Sequence, residues 1–167
     1  MTSGGRTVEL TLLRHAHAGD PAEWNGPDEK RPLSRRGRKQ ALRLARFLKA
    51  VGFRPDALIT SPKVRAVQTA DALADELDLH ATVDPRLSEG VTLDVLEAIL
   101  ASADNPGRPV VVGHDPDFSE IASALTGRPG LMLAKGAIAR IDARRPLVPG
   151  SGELRWLVPP DLLRPDR

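Results

Sequence analysis

Three short apolar runs, residues 8–13, 57–60 and 110–112, constrain the fold of this 167-residue chain more than any other feature. None shows the polar alternation of a half-exposed strand, so each is expected to be covered on both faces. Amphipathic helical patterns separate them. Residues 35–51 place Ala41, Leu44, Ala45, Leu48 and Val51 on one face, with Ser34 as the expected N-cap and Gly52 as the stop. Val64, Val67, Ala70, Leu73, Ala74 and Leu77 mark a second helix, with Ser61 as its N-cap and Pro62 at its first position. A third helix is expected over 93–103. A fourth covers 116–125, capped by Asp115 and ended by the breaker cluster at 126–130. Residues 137–141 and 154–158 read as late strands toward a sheet edge.

Strands alternating with helices predict βαβ units and an α/β fold: a three-layer α/β/α sandwich around a mostly parallel central sheet. The length suits one domain over residues 1–167, with residues 1–7 as a flexible N-terminus. Between the second helix and the strand at 110 there is room for one short strand and one helix. No large cap domain is therefore expected over the sheet edge.

Composition narrows the function classes. The chain has no Cys, which excludes disulfides, thiolate catalysis and thiolate zinc sites. Its N-terminus is short, polar and Gly-rich, and no stretch approaches the length of a membrane span, so a cytoplasmic protein with no membrane partner is expected. Aromatic residues are 3% with no Tyr, which leaves little for base stacking, and the basic residues read as spread rather than clustered. No nucleic-acid partner is expected. The sequence pI of about 9.4 comes mostly from Arg, which suits anionic ligands through its planar fork and also follows from genome composition. Oligomeric state does not follow from the sequence.

In open parallel sheets ligands bind outside the carboxyl ends of the strands. Each of the three buried runs ends there in polar residues: Arg14-His15, then Thr60-Ser61 with Arg65 beyond, then His114-Asp115. Two guanidiniums and two imidazoles at one edge suit an anion, phosphate above all, because Arg forks hold non-bridging oxygens and neutralise charge in phosphoryl transfer. A neutral His15 could attack phosphorus and form a covalent intermediate, provided its other ring N–H is held, for example by a backbone carbonyl. His15-x-His17 is also a metal-ligand spacing, against which Arg14 and Arg65 would repel a dication.

These residues carry a family resemblance. "LLRHAHAG" resembles the Arg-His signature of the histidine phosphatase superfamily, which is phosphoglycerate mutase-like in fold. "RPLSRRGRKQA", "ITSPKVRAVQTA" and "VVVGHDPDFSEIASALTG" resemble the remaining blocks of its short SixA-like phosphohistidine phosphatase branch, in the same order. The resemblance implies a phosphatase with His15 as the phosphorylated nucleophile, Arg14 and Arg65 as the phosphate clamp, and His114 as the second pocket histidine. It implies no metal and no cofactor. Two departures matter: Ala16 stands where many members have Gly, and His17 where many have an acid. Glu89, in "RLSEG", sits where larger members keep their acid, so the proton donor is Glu89, His17 or neither.

The substrate expected from an open pocket is a phosphorylated protein bearing phosphohistidine, with a small phosphorylated metabolite as the alternative. His17 is then placed at the pocket mouth and Trp24 on a substrate lip. A phosphate-binding module without turnover is a third reading. The basic face formed by Arg35, Arg36, Arg38, Lys39, Arg43, Arg46 and Lys49 reads as a solvated helix surface or as a dock for an acidic partner.

Overall fold

Side-chain alternation along the first strand decides which helices cover which face of the sheet. A computed structural model describes residues 5–165, and β1 (Thr7–Arg14) is its first element. Leu10 and Leu12 point to one face of β1 and Leu13 to the other. On the Leu13 face lie α1 (Arg35–Ala50), before β2 (Ala57–Thr60), and α2 (Val64–Leu77), before β3 (Ala81–Val83). On the Leu12 face lie α3 (Leu93–Ser102), before β4 (Pro109–Gly113), and α4 (Asp117–Thr126), before β5 (Ile138–Arg144) and β6 (Gly152–Val158). Three layers result.

The six strands run in the order β3-β2-β4-β1-β5-β6. Pairing is parallel from β3 through β1 and antiparallel for β1-β5 and β5-β6. The central strands are fully buried, which explains their unbroken apolar sequence: Val110, Val111 and Val112 are each 0% exposed. Neighbouring β1 and β4 send their following helices to opposite faces. Their carboxyl ends therefore open a crevice at a topological switch point. Among the described residues, only β3, a short 3-10 turn and α3 separate α2 from β4, and no cap domain covers that edge.

α1 forms because Gln40, Ala41, Leu44, Ala45 and Leu48 share one buried face, each buried Leu contributing roughly 1.5–3 kcal/mol. Ser34 caps it, its hydroxyl accepting from the Gly37 amide at 3.0 Å. Gly37 lies so close to the β1 exit loop that an added Cβ would sit 1.8 Å from the His17 carbonyl oxygen. The first turn holds no acid and three Arg, each costing roughly 0.3–1 kcal/mol against the helix dipole.

Several expectations need correction. Residues 1–4 of the segment expected to be flexible lie outside the described residues, but Thr7 pairs with Arg144 and the Arg6 carbonyl accepts from the Arg145 amide at 2.7 Å. α2 starts at Val64 with Lys63 as its cap, so Ser61 and Pro62 belong to the turn before it. α4 starts at Asp117, and the Asp115 carboxylate accepts the Ser119 amide from outside the helix. The basic residues are not spread evenly: seven lie on α1, which carries no carboxylate.

Candidate active site

The β1-β4 register brings the two pocket histidines together. Arg14 pairs with Gly113, and the His15 amide donates to the Gly113 carbonyl at 3.0 Å. His15 and His114 thus leave adjacent strand ends side by side, with ring centroids 5.2 Å apart. Both are nearly buried, at 5% and 7% exposure.

The His15 tautomer is fixed by a neighbouring carbonyl. Nδ1 lies 2.7 Å from the Ala16 oxygen, and a carbonyl only accepts, so Nδ1 carries the proton and Nε2 keeps its lone pair. Burial, reinforced by the charges of Arg65, Arg14 and Lys135, outweighs that hydrogen bond and pushes the His15 pKa down to about 3. The ring is a neutral base at physiological pH.

His114 is set from β2. Its Nε2 lies 2.7 Å from the Ser61 hydroxyl, which is fully buried and also accepts from the Lys63 amide at 3.3 Å. Burial, then His15 and Arg65, lower its pKa to about 3. Ser61 therefore serves the pocket histidine rather than a helix cap.

Arg65, in the first turn of α2, is held from the loop before α1. Its guanidinium donates to the Asp28 carbonyl at 2.8 Å and to the Asp28 carboxylate at 3.0 Å. The other carboxylate oxygen takes Arg31 Nε at 3.1 Å, and Arg31 also donates to the Ala18 carbonyl at 2.8 Å. Burial acts to raise the Asp28 pKa, but the Arg31 hydrogen bond and the Arg65 charge together hold it low. Thr69 completes the frame: its hydroxyl donates to the Arg65 carbonyl at 2.8 Å and accepts the Ala16 amide at 3.1 Å.

Arg14 is anchored by the loop before β5. It donates to the Leu133 carbonyl at 2.9 Å and lies 3.6 Å from Asp115. The Gly136 amide, at a positive φ of 81°, reaches the Arg14 and His15 carbonyls at 3.1 and 2.9 Å. Arg14 Nε, Arg65 Nε and His114 Nδ1 are buried with no hydrogen-bond partner among the described residues.

Together these groups line a cleft of about 400 Å³ that includes Arg14, His15, Arg65, His114 and Glu89. Arg31, Lys63 and Lys135 add positive charge, and Asp115 and Asp117 add carboxylates. Both of those acids already accept hydrogen bonds, Asp115 from Ser119 and Asp117 from the Val91 amide, whereas Glu89 accepts none among the described residues. A larger, mostly apolar cleft of about 570 Å³ beside the C-terminal end of α1 contains Phe47, Phe53 and Trp156 and no histidine. It lacks a nucleophile.

Two residues expected at the pocket do not line it. His17 turns its Nδ1 to the Ser34 hydroxyl at 2.6 Å, because β1 ends at Arg14 and strand alternation stops before it. The two histidines of His15-x-His17 therefore do not converge. Trp24 binds its own loop, its indole N–H donating to the Pro27 carbonyl at 3.0 Å, while Pro21 borders the cleft. Sequence reading missed Asp28, Arg31 and Lys135. The i,i+3 spacing of Asp28 and Arg31 was a readable ion-pair signal; Lys135 offered none.

Fold and site define a class: an α/β protein whose switch-point crevice sets a neutral imidazole among guanidiniums, as phosphoryl chemistry requires. The family model "Histidine phosphatase superfamily (branch 1)" matches residues 10–122. An uncharacterized protein of Picosynechococcus sp. (strain ATCC 27264 / PCC 7002 / PR-6) is 37% identical over 168 residues, covering 95% of this chain and 100% of that protein. The 8-oxo-(d)GTP phosphatase of Mycolicibacterium smegmatis is 37% identical over 109 residues, covering 63% of this chain and 33% of that protein. The solved structure of the protein histidine phosphatase SixA complexed with tungstate superposes with a TM-score of 0.81 at 25% identity, covering 94% of this chain and 100% of that one. The chain belongs to the histidine phosphatase superfamily, in its SixA-like group, and is a phosphatase. No helix among the described residues is long and apolar enough to cross a membrane.

Proposed function

We propose that this chain removes phosphoryl groups from protein phosphohistidine through a covalent intermediate on His15, without a metal. The observation that carries the reading is the fixed tautomer of a neutral His15, facing His114 between Arg14 and Arg65. The Nε2 lone pair attacks phosphorus, and the P–N bond to the substrate imidazole breaks. Glu89 gives the departing nitrogen its proton, being the pocket carboxylate that accepts no hydrogen bond among the described residues. Water then attacks the phosphohistidine, its proton returns to Glu89, and phosphate leaves with His15 restored. Arg14, Arg65 and His114 hold the phosphoryl oxygens, their partnerless buried nitrogens being suited to acceptors arriving there. Five cations around the cleft would repel a dication.

The protein substrate is supported by the uncovered cleft and by the likeness to SixA. A second reading, a nucleotide or other small phosphorylated substrate, is favoured by the Mycolicibacterium relative. Comparing kcat/KM on phosphorylated histidine phosphotransfer domains with a panel of nucleotides and sugar phosphates decides between them. The protein reading expects the highest value on the phosphodomains; a far higher value on a nucleotide contradicts it. A pure binding module would saturate with ligand and release no phosphate.

A further inference from the structure

The basic residues are segregated in a way that genome composition does not explain. Residues 30–55 carry ten Lys or Arg and no carboxylate, whereas the other 141 residues carry 14 against 22 carboxylates. An Arg-rich genome would raise basic residues throughout. Of the seven cations on α1, only Arg46 has an ion-pair partner among the described residues, Glu76 at 3.5 Å. Arg35, Arg36, Arg38, Lys39, Arg46 and Lys49 are exposed.

This face is tied to the catalytic cleft. Ser34, which caps α1, bonds the His17 ring, and its amide donates to the His17 carbonyl at 3.0 Å, two residues beyond His15. Arg36 on α1 and Lys135 in the cleft both depress the His17 pKa, after burial, so His17 lies within reach of a cation of the helix and a cation of the cleft. A separate cleft of about 570 Å³ lies on the basic face of α1, lined by Arg35, Arg36, Lys39, Arg43 and Arg164.

We propose that the exposed basic face of α1, leading away from the His15 cleft, is a docking surface for an acidic protein that carries the phosphoryl group to be removed. This rests on the protein-substrate reading above. An acidic surface supplies the carboxylates that α1 lacks, and the uncovered cleft leaves room for a folded partner to reach His15. The near absence of aromatic side chains favours such a partner over single-stranded nucleic acid. Charges at the rim of such an interface act chiefly on association rate and its salt dependence.

The test uses the full chain and its combined Arg35→Gln, Arg36→Gln, Lys39→Gln variant, none of whose positions lines the His15 cleft. The probes are a phosphorylated histidine phosphotransfer domain of net negative charge and para-nitrophenyl phosphate. The variant is expected to lose about tenfold or more in kcat/KM on the domain, and to keep para-nitrophenyl phosphate turnover within about twofold. Raising salt from about 50 to about 300 mM should weaken the wild type on the domain far more than the variant. Equal activity of both proteins on the domain overturns the proposal, as does an equal loss on both probes. Binding of duplex DNA or anionic vesicles that the domain cannot displace overturns it in favour of another polyanion. If the wild type does not dephosphorylate the domain, the substrate reading fails by itself. Docking is then judged on the unphosphorylated domain: weaker binding by the variant supports it, and equal binding refutes it.

Discussion

His15 and His114 face each other across the β1-β4 boundary, ring centroids 5.2 Å apart and planes inclined at 51°, and the surroundings of both rings oppose protonation. Two imidazoles placed so close oppose each other's protonation. Burial above all, with Arg65 beside both rings, Arg14 beside His15 and Lys63 beside His114, keeps them neutral where an ordinary histidine, near 6.5, would begin to protonate.

The expected consequence for stability follows from proton linkage. Both folded-state pKa values lie near 3, below the unfolded value near 6.5, so the unfolded chain binds more protons between those limits. Stability is therefore present in full above about pH 6.5 and is lost as pH falls toward 3. Nitrogen-15 NMR of the imidazoles should show the His15 proton on Nδ1 and no titration near pH 6.5. A His15 midpoint near 6.5, where an ordinary histidine titrates, contradicts the burial argument.

Arg65 works in a frame set by Asp28. Arg65→Ala is expected to lower kcat/KM by a factor of roughly 100 or more, through lost transition-state charge stabilisation. Asp28→Asn removes the charge that the Arg65 and Arg31 guanidiniums share while keeping the backbone contact, and should cost about tenfold with the fold intact. Steady-state kinetics on a small substrate measures both; wild-type rates in either variant refute this role.

Ser61→Ala should lower kcat about tenfold with little change in KM, because it frees His114 Nε2 rather than removing a substrate contact. Ser61→Thr keeps the hydroxyl and should recover part of the loss. A drop in melting temperature without a change in kcat would instead assign Ser61 to the turn alone.

Gly37→Ala introduces a methyl group where the His17 carbonyl leaves no space. Overpacking of this kind costs typically 1–3 kcal/mol, occasionally more, and here it pushes on the loop that carries His15. Denaturant unfolding should show the loss together with reduced turnover. A variant as stable as wild type would mean that α1 shifts freely.

The central strands were legible because residues buried on both faces must be apolar without interruption; β2 falls on 57–60 as expected. Arg14, His15, Arg65 and His114 follow from that, since strand ends in a parallel sheet share an edge. Ser61 was misread because Ser-Pro before a helix carries an N-cap signature, while its actual partner, His114, lies 53 residues away. His17 was misplaced at the pocket mouth because β1 stops at Arg14, and the loop beyond turns its ring to Ser34. Asp28 and Lys135 were missed because each sits in a short connection, Asp28 in a 3-10 turn that reaches Arg65 and Lys135 in the turn before β5 that lines the cleft. There the backbone path, invisible to periodicity, decides which way a side chain points.

The most direct test of the mechanism is to quench turnover of a labelled phosphoryl donor with denaturant and map the label by mass spectrometry. A single acid-labile, base-stable phosphoryl group on His15, absent from His15→Ala, is the expected result. Steady turnover with no label on His15, or a His15→Ala variant that hydrolyses the donor at the wild-type rate, contradicts the covalent route.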